Sequence, residues 1–338
     1  MASYKYKKKN IDTFLSDIYS KGLKRSTILS DYDIKNMITE IGIFKIKGYI
    51  YAFKNDFKKY CIDDIFIIYF FDKYLTKYIM DLTSSIESKL KSSIVELCYS
   101  RAKNPFFYLI AKNHKNSSFY INKETLKNWK YLSSSSTSSE SYFHYGLYYR
   151  QKYDFTSNEK RYLYGEKLIS IDKTKYNFPP FHYLIESATL GSVIHFIKSL
   201  EINSFDIFNN VSKYFGITNT PIFEAYLERL NEIRNRAAHR ERLFNRSYRT
   251  VKGIGYYTKM RNSVNEHRMI DVILFLYFIL NRLDIYTNYL DFEQKVLENL
   301  FYNFFHDSEL NIESKNLISD IDSKNMVNIK IFILNAMK

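Results

Sequence analysis

Apolar residues recur every three or four positions along most of this chain, which is the period of a helix buried on one face. The longest such stretch runs from Asp63 to about Arg101 and contains neither Gly nor Pro, so it predicts one long amphipathic helix. Asn104-Pro105 ends that helix, because the residue before a proline avoids helical backbone angles. The periodic apolar positions are Ile65, Ile68, Tyr69, Leu75, Ile79, Leu82, Ile86, Leu90, Ile94 and Leu97.

Shorter periodic stretches predict further helices on both sides of the long one. One is expected to begin at Thr220-Pro221, with Thr as N-cap and Pro at the first helical position. Its apolar face is Phe223, Tyr226, Leu230, Ile233 and Ala237. The others are Ile11–Tyr19, Asp31–Ile41, a segment around residues 41–56, a helix from Pro179-Pro180 to about Leu200, Met269–Leu283, and two near residues 290–305 and 325–336.

Residues 117–175 interrupt this pattern with a serine-rich run and many tyrosines, and they read as a loop-rich insert. The chain holds only 9 Gly and 4 Pro, too few for the frequent turns of an antiparallel sheet. We therefore predict an all-α protein. Its organisation is an N-terminal helical segment, residues 1–60, and a helical domain over residues 61–338 that carries the insert.

Composition narrows the functional classes. The two cysteines, Cys61 and Cys98, are too few for a disulfide scaffold or a zinc site and lie in apolar helical patterns, as buried thiols do. The charged N-terminal residues have no apolar stretch behind them, so a secretory signal is not expected. The apolar stretches 65–71 and 272–280 are too short to span a bilayer. We expect a cytoplasmic protein without a membrane partner.

The formal net charge is +14, and its distribution matters more than its size. In an AT-rich genome, codon bias alone raises the number of lysines whatever the function of the protein. The same bias does not favour arginine codons, so it does not explain an arginine cluster. Residues 234–268 hold ten basic residues against two glutamates. Such a cluster fits phosphate or a nucleic acid, and a solvated face is the alternative. The basic residues are Arg234, Arg236, Arg240, Arg242, Arg246, Arg249, Lys252, Lys259, Arg261 and Arg268.

Within the cluster, Arg234 is followed five positions later by His239. With three permitted spacings, of five to seven positions, about one such Arg/His pair is expected by chance in this chain, and Arg261 with His267, six positions apart, is a second match. The wider block distinguishes them, since LNEIRNRAAHRERLFNR (230–246) resembles the signature of the Abi-like abortive-infection family. Ala237 stands where that family often has Cys, and Phe244 stands where it has Trp. The matching positions are Arg234, Asn235, Ala238, His239, Arg242, Leu243, Asn245 and Arg246.

Upstream blocks extend the resemblance over most of residues 10–250, with 117–175 unmatched. They are IGIFKIKGYIYAF (41–53), YFFDKYL (69–75), IESKLK (86–91), NPFFY (104–108) and PPFHYLIESATLGSV (179–193). The family is grouped with the HEPN superfamily, whose Arg-x4–6-His motif marks metal-independent ribonucleases. The resemblance implies a HEPN-like helical bundle. It also implies a phage-defence or toxin-type endoribonuclease that needs no metal or other cofactor.

The chemistry of such a site fits the residues. His239 provides an acid or base, Arg234 a cation for the developing phosphorane charge, and Asn235 an orienting amide. Residues five apart on a regular helix point about 140° apart, so Arg234 must reach round, the helix must distort, or two copies must meet. HEPN ribonucleases usually pair two motifs across a dimer, which implies a homodimer here. The residues expected to contact RNA are Arg236, Arg240, Arg242, Arg246 and Arg249.

Two alternatives stay open. Glu87 is either half of a surface ion pair with Lys91 or a support that holds Arg234 or His239 in place. The whole protein is either an enzyme that cuts RNA or a non-catalytic module that holds a structured RNA, such as a small regulatory RNA. A structural role for His239, in which it caps or bonds within its helix, competes with both.

Overall fold

The protein is predominantly helical, as the apolar periodicity predicts. The computed structural model describes residues 10–53, 57–105, 107–109, 113–115, 161–164, 167–170, 180–244, 246–249, 251, 269–283 and 285. Its helices are α1 (Ile11–Ser20), α2 (Asp31–Ile41), α3 (Ile43–Ile50), α4 (Ile62–Tyr99), α5 (Phe181–Ser187), α6 (Leu190–Ile197), α7 (Ile207–Tyr214), α8 (Thr220–Ala238) and α9 (Met269–Arg282). Single 3₁₀ turns lie at Tyr51–Phe53, Phe57–Lys59 and Phe107–Leu109.

Two short antiparallel hairpins accompany the helices. Strand β1 (Arg161–Tyr164) pairs with β2 (Lys167–Ser170), and β3 (Glu201–Ile202) pairs with β4 (Phe205–Asp206). The first hairpin lies within the predicted insert, where no strand was expected. The second closes through Asn203 and Ser204, whose φ angles of 50° and 63° suit a tight hairpin turn. Asparagine accepts this backbone region more easily than most residues, so glycine was not needed.

The N-terminal helices begin where their capping residues predict. Asn10 accepts a hydrogen bond from the backbone N–H of Thr13 at the start of α1. At the start of α2, Ser30 and Asp33 form a reciprocal capping box, which supplies partners to two N–H groups that the helix leaves unbonded. Helix α1 packs against α2, and α2 packs against α3.

Helix α4 confirms the single long helix predicted between Asp63 and Arg101. Most of its predicted apolar positions are buried, from Ile65 at 0% exposed to Ile94 at 0%. Tyr69 and Leu97 differ, because each is only half-buried. Cys98 is fully buried, as predicted, whereas Cys61, just before the helix, is half-buried. Burial raises the pKa of both thiols, that of Cys61 to about 11, so both stay protonated near neutral pH.

The single helix predicted from residue 180 to about Leu200 is wrong in one respect, because two helices occupy this stretch. Ala188 between them has an extended backbone, with φ −75° and ψ 146°. Thr189 then caps α6 by accepting from the backbone N–H of Ser192. A threonine inside an apolar pattern is compatible with a continuous helix, so the apolar periodicity alone did not reveal the break.

Helix α8 carries the sequence motif and begins near the predicted point. Its N-cap is Asn219, whose side chain accepts from the backbone N–H of Ile222, and Thr220 is already the first helical residue. The prediction of Thr220 as cap is therefore wrong by one residue. The predicted apolar face is confirmed, since its five residues, from Phe223 to Ala237, are at most 2% exposed.

The chain divides into two compact units. Unit 1 comprises residues 1–83, 233–250 and 258–338, and unit 2 comprises residues 84–232 and 251–257. The predicted domain boundary at residue 60 stays a prediction. Among the described helices, none combines the length and the apolar character that crossing a bilayer requires. The helices predicted near 290–305 and 325–336 lie outside the described residues.

Candidate functional site

The end of α8 is a backbone turn that leaves His239 at the surface. The N–H of Arg240 donates to the carbonyl of Ala237 at 3.0 Å, and the N–H of Glu241 donates to the carbonyl of Arg236 at 2.9 Å. Arg240 has the left-handed backbone that these bonds require, with φ 51°. The three features form a Schellman motif in which His239 is the C-cap. The side chains of His239 and Arg240 are both exposed.

The motif residues before this turn are joined to one another. Arg234 Nη1 donates to Asn235 Oδ1 at 3.2 Å, and the backbone carbonyl of Asn235 accepts from the N–H of His239 at 2.9 Å. Both Arg234 and Asn235 are half-buried. Because Asn235 and His239 are four residues apart, they share one side of the helix end. The guanidinium of Arg234 therefore lies beside the amide of Asn235. Which of the three geometries brings Arg234 to His239 stays a prediction.

The chain that follows the turn is held by Asp72, a residue that sequence reasoning did not single out. Its carboxylate accepts from the backbone N–H of Leu243 at 3.0 Å and of Phe244 at 2.7 Å, and from the hydroxyl of Tyr49. Asp72 is 2% exposed and lies on α4. The ring of Phe244 packs edge-on against Phe71, with centroids 5.5 Å apart. A buried acid of α4 therefore fixes where the end of α8 lies within unit 1.

The sequence did contain a signal for this acid. Asp72 is the acidic residue inside the largely apolar block YFFDKYL, which carries part of the family resemblance. Burial raises its pKa, while the hydrogen bonds from Tyr49, Phe244 and Leu243 act in the opposite direction. A buried carboxyl group is tolerated when donors surround it, and three surround this one.

The arginine cluster separates into inward-facing and exposed side chains. Arg242 is half-buried, and its Nη1 donates to the backbone carbonyl of Gly48. Arg246 Nη1 lies 3.1 Å from Glu241 Oε2, and Arg236 Nη1 lies 3.9 Å from the same oxygen. Arg240 and Arg249 are exposed. The five predicted RNA contacts thus stand in unlike environments, and their contact with RNA stays a prediction.

A cleft of about 770 Å³ adjoins this turn within unit 1. Helices α2, α3 and α4 and the end of α8 form its walls. Its lining includes the basic residues Lys45, Lys73, Lys77 and Arg240, the glutamates Glu40 and Glu241, and the aromatic residues Tyr49 and Tyr69. We refer to this space as the α4 cleft.

Glu87 lies in unit 2 and forms the predicted ion pair, with its carboxylate 2.8 Å from Lys91 Nζ. The side chains are only 11% and 15% exposed, so this is not an ordinary surface pair. Lys91 also donates to the carbonyls of Glu186 and Ala188, at 3.2 and 2.7 Å, where α5 ends. The alternative, that Glu87 supports Arg234 or His239, stays a prediction.

Acidic, cysteine and histidine side chains outside the motif could in principle form a metal site or a second catalytic site. Across the described ranges, no three His, Cys, Asp or Glu side chains are grouped as a metal site would require. The second Arg/His pair, Arg261 with His267, lies outside the described residues, as do Lys252, Lys259 and Arg268. His114 is buried in unit 2 between the carbonyl of Tyr108 and the hydroxyl of Ser199, which is a structural setting.

The comparison with known families identifies the chain. No curated protein and no solved structure matches it. A family model described as Abi-like protein matches residues 36–245, which include the α4 cleft and the motif of α8. This match covers more than half of the 338 residues and supports a role in abortive infection, a form of phage defence. The chain belongs to the Abi-like protein family.

Proposed function

We propose that this protein is a metal-independent endoribonuclease of phage defence, of the HEPN type, and that Arg234, Asn235 and His239 form its active site. The observation that carries the proposal is the end of α8. There the exposed ring of His239 shares one side of the helix with Asn235, and Arg234 donates to the amide oxygen of Asn235. An exposed imidazole ring, and a cation bonded to the amide that shares its side of the helix, are the groups that metal-free RNA cleavage needs.

The reaction follows from the substrate. The 2′-hydroxyl of one nucleotide attacks the adjacent phosphorus, and the bond from phosphorus to the 5′-oxygen of the next nucleotide breaks. The products are a 2′,3′-cyclic phosphate and a 5′-hydroxyl. His239 moves a proton from the attacking hydroxyl or to the leaving oxygen, and Arg234 offsets the charge that develops on the phosphoryl oxygens. Asn235 positions the guanidinium through its amide oxygen.

The test is cleavage of total RNA in EDTA by the wild-type protein, Arg234→Ala and His239→Ala. We expect the wild type to cut and to leave cyclic phosphate ends, and each variant to lose at least about a hundredfold in rate, the scale of general acid–base catalysis. His267→Ala is the control at the second Arg/His match and should cut normally. Normal cleavage by His239→Ala, or loss of wild-type cleavage in EDTA, would refute the assignment.

A second candidate is a non-catalytic module that holds a structured small RNA. The exposed cations Arg240, Lys73 and Lys77 favour it, because phosphate contact alone gives RNA affinity. The same experiment separates the two functions. A protein that binds RNA but leaves every phosphodiester intact under all conditions is the module, and its His239→Ala variant binds as the wild type does.

We also propose that the active form is a homodimer. One motif per chain supplies one Arg234/His239 set, and a two-fold axis brings two sets together. Light scattering at micromolar concentration should give about twice the chain mass of 40.6 kDa. A fully active monomer would contradict this arrangement.

A further inference from the structure

We propose that the α4 cleft binds the RNA strand next to the phosphate that is cut, holding nucleotide phosphates on Lys73 and Lys77 and a base against Tyr69. The position beside the cut rests on the proposed function. The binding itself rests on the charge, the aromatic wall and the size of the cleft. None of these three residues belongs to the motif or to the arginine cluster.

The excess of positive charge in the cleft favours an anionic ligand. Four cations face three carboxyl groups. Asp72 already accepts from Tyr49, Leu243 and Phe244, and Glu241 lies 3.1 Å from Arg246. Lys73 and Lys77 are both exposed on α4, four residues apart, so that two like charges are neighbours on one face of the helix. Within the part of the chain that the structure describes, neither forms an ion pair. Phosphate groups of a polyanion would relieve this repulsion and give each lysine an anionic partner.

The aromatic wall of the cleft suits a nucleobase. Tyr69 is half-buried on α4, and Lys45 Nζ lies 5.7 Å from the centre of its ring. The ring of Tyr49 packs edge-on against Tyr69 with centroids 5.7 Å apart, and Tyr49 is itself bonded to Asp72. A ring held in place beside a lysine is the combination that single-stranded RNA sites use for a base and its phosphate.

The size and position of the cleft suit an RNA strand that enters it, rather than one that only touches the surface of the protein. A volume of about 770 Å³ falls within the range of roughly 300–1,000 Å³ typical of ligand sites. Ala238 and Arg240, the two neighbours of His239 in the chain, both line the cleft. A strand that fills it therefore passes the turn at the end of α8.

The binding experiment uses a labelled single-stranded RNA with 2′-O-methyl groups throughout, which has no hydroxyl for the cleavage reaction. We expect Lys73→Gln/Lys77→Gln to lower its affinity on the order of tenfold near 0.1 M salt. The slope of log affinity against log salt should fall by about 1.4, because each contact to single-stranded phosphate contributes roughly 0.7. Tyr69→Leu should cost on the order of tenfold, whereas Tyr69→Phe should bind normally, because stacking needs the ring.

The matched control is Lys89→Gln/Lys213→Gln, which removes the same charge from two exposed lysines outside the cleft lining. For this variant, the slope of log affinity against log salt should differ from the wild-type slope by no more than about half the contribution of one phosphate contact. Thermal unfolding of each variant checks the fold. A mixture of 5′-mononucleotides at millimolar concentration should compete far more weakly than unlabelled methylated RNA.

Three results would overturn the proposal. They are an unchanged affinity and slope in Lys73→Gln/Lys77→Gln, an equal loss in the control variant, and mononucleotides that compete as well as RNA. The last result would make a free nucleotide the ligand. The methylated RNA is not cut, so binding is measured whatever His239 does. Normal cleavage by His239→Ala together with weak binding by the lysine variant would refute the proposed active site and leave the cleft standing.

Discussion

Two neighbouring stretches of one sequence block have opposite surroundings. At His239 and Arg240 the side chains are exposed, whereas Leu243, Phe244 and Tyr248 are each at most 3% exposed. His239, Arg240, Leu243 and Phe244 lie in the block that resembles the family signature, and Tyr248 lies two positions beyond it. The first stretch is available to a ligand, and the second is packed against α4 within unit 1. A family signature can thus combine exposed residues, on which the proposed function rests, with residues that hold the exposed ones in place.

The second stretch owes its position to polar contacts as much as to apolar packing. Asp72 accepts from two backbone N–H groups of the stretch, and the hydroxyl of Tyr248 donates to the carbonyl of Leu243 at 2.6 Å. Buried backbone groups need such partners because an unbonded one costs free energy. Substitutions in each stretch test the contrast, and their expected effects on stability differ widely in size.

The largest effect is expected from Asp72→Ala. This change leaves two buried N–H groups and the hydroxyl of Tyr49 without their acceptor, and each orphaned donor costs about 1–3 kcal/mol. We expect the free energy of unfolding to fall by about 3–5 kcal/mol in urea denaturation. His239→Ala, on the exposed stretch, should change it by less than about 0.5 kcal/mol. Equal losses in the two variants would remove the distinction between the stretches.

Sequence reasoning found the exposed stretch more readily than the buried one, and the reason is physical. The Arg234-to-His239 spacing and the start and end of α2 depend on residues close together in the chain. The partner of Arg242 is the carbonyl of Gly48, 194 positions away, so no local pattern reveals that this arginine faces inward. The arginine cluster was therefore interpreted as one surface, although its members differ in burial and in the groups that they contact.

The fold shows the same limit. Periodicity predicted α4 and the buried face of α8, because these features repeat over many residues. It missed the break at Ala188 and Thr189 and both hairpins, which involve only a few residues each. Asn203-Ser204 was a usable turn signal, since asparagine tolerates a positive φ. The scarcity of glycine and proline argued against hairpins, but the second hairpin needs neither residue.

The contrast between buried and exposed positions also applies to the histidines, since His114 is buried and His239 is exposed. The buried histidine makes the folding stability depend on pH. His114 is 6% exposed, and burial lowers its pKa from 6.5 to about 4. The unfolded chain therefore binds a proton at His114 more tightly than the folded protein does. The contribution of the neutral, buried His114 to folding stability is full above pH 6.5 and is lost as the pH falls towards 4. We expect a loss on the order of 3 kcal/mol over this range.

The measurement is urea denaturation of the wild-type protein and His114→Gln at several pH values between about 4 and 7.5. The variant should be less stable at the upper end of this range, because it loses the bonds to Tyr108 and Ser199, but its stability should fall less steeply as the pH decreases. Parallel curves for the two proteins would show that His114 is not the titrating group.

The smallest effect is expected at Arg240, where the two stretches meet. Its left-handed backbone, φ 51°, is the position at which helices usually place glycine. Arg240→Gly therefore removes strain and should raise the free energy of unfolding by about 0.5–1 kcal/mol, even though the side chain is lost. Arg240→Ala keeps the strain and also removes the charge, so it is the matched control. Both should lower RNA affinity by a few-fold, since each removes one cation from the α4 cleft. If Arg240→Gly instead lost stability, the side chain would be holding the turn, and Arg240 would belong with the buried stretch rather than with His239.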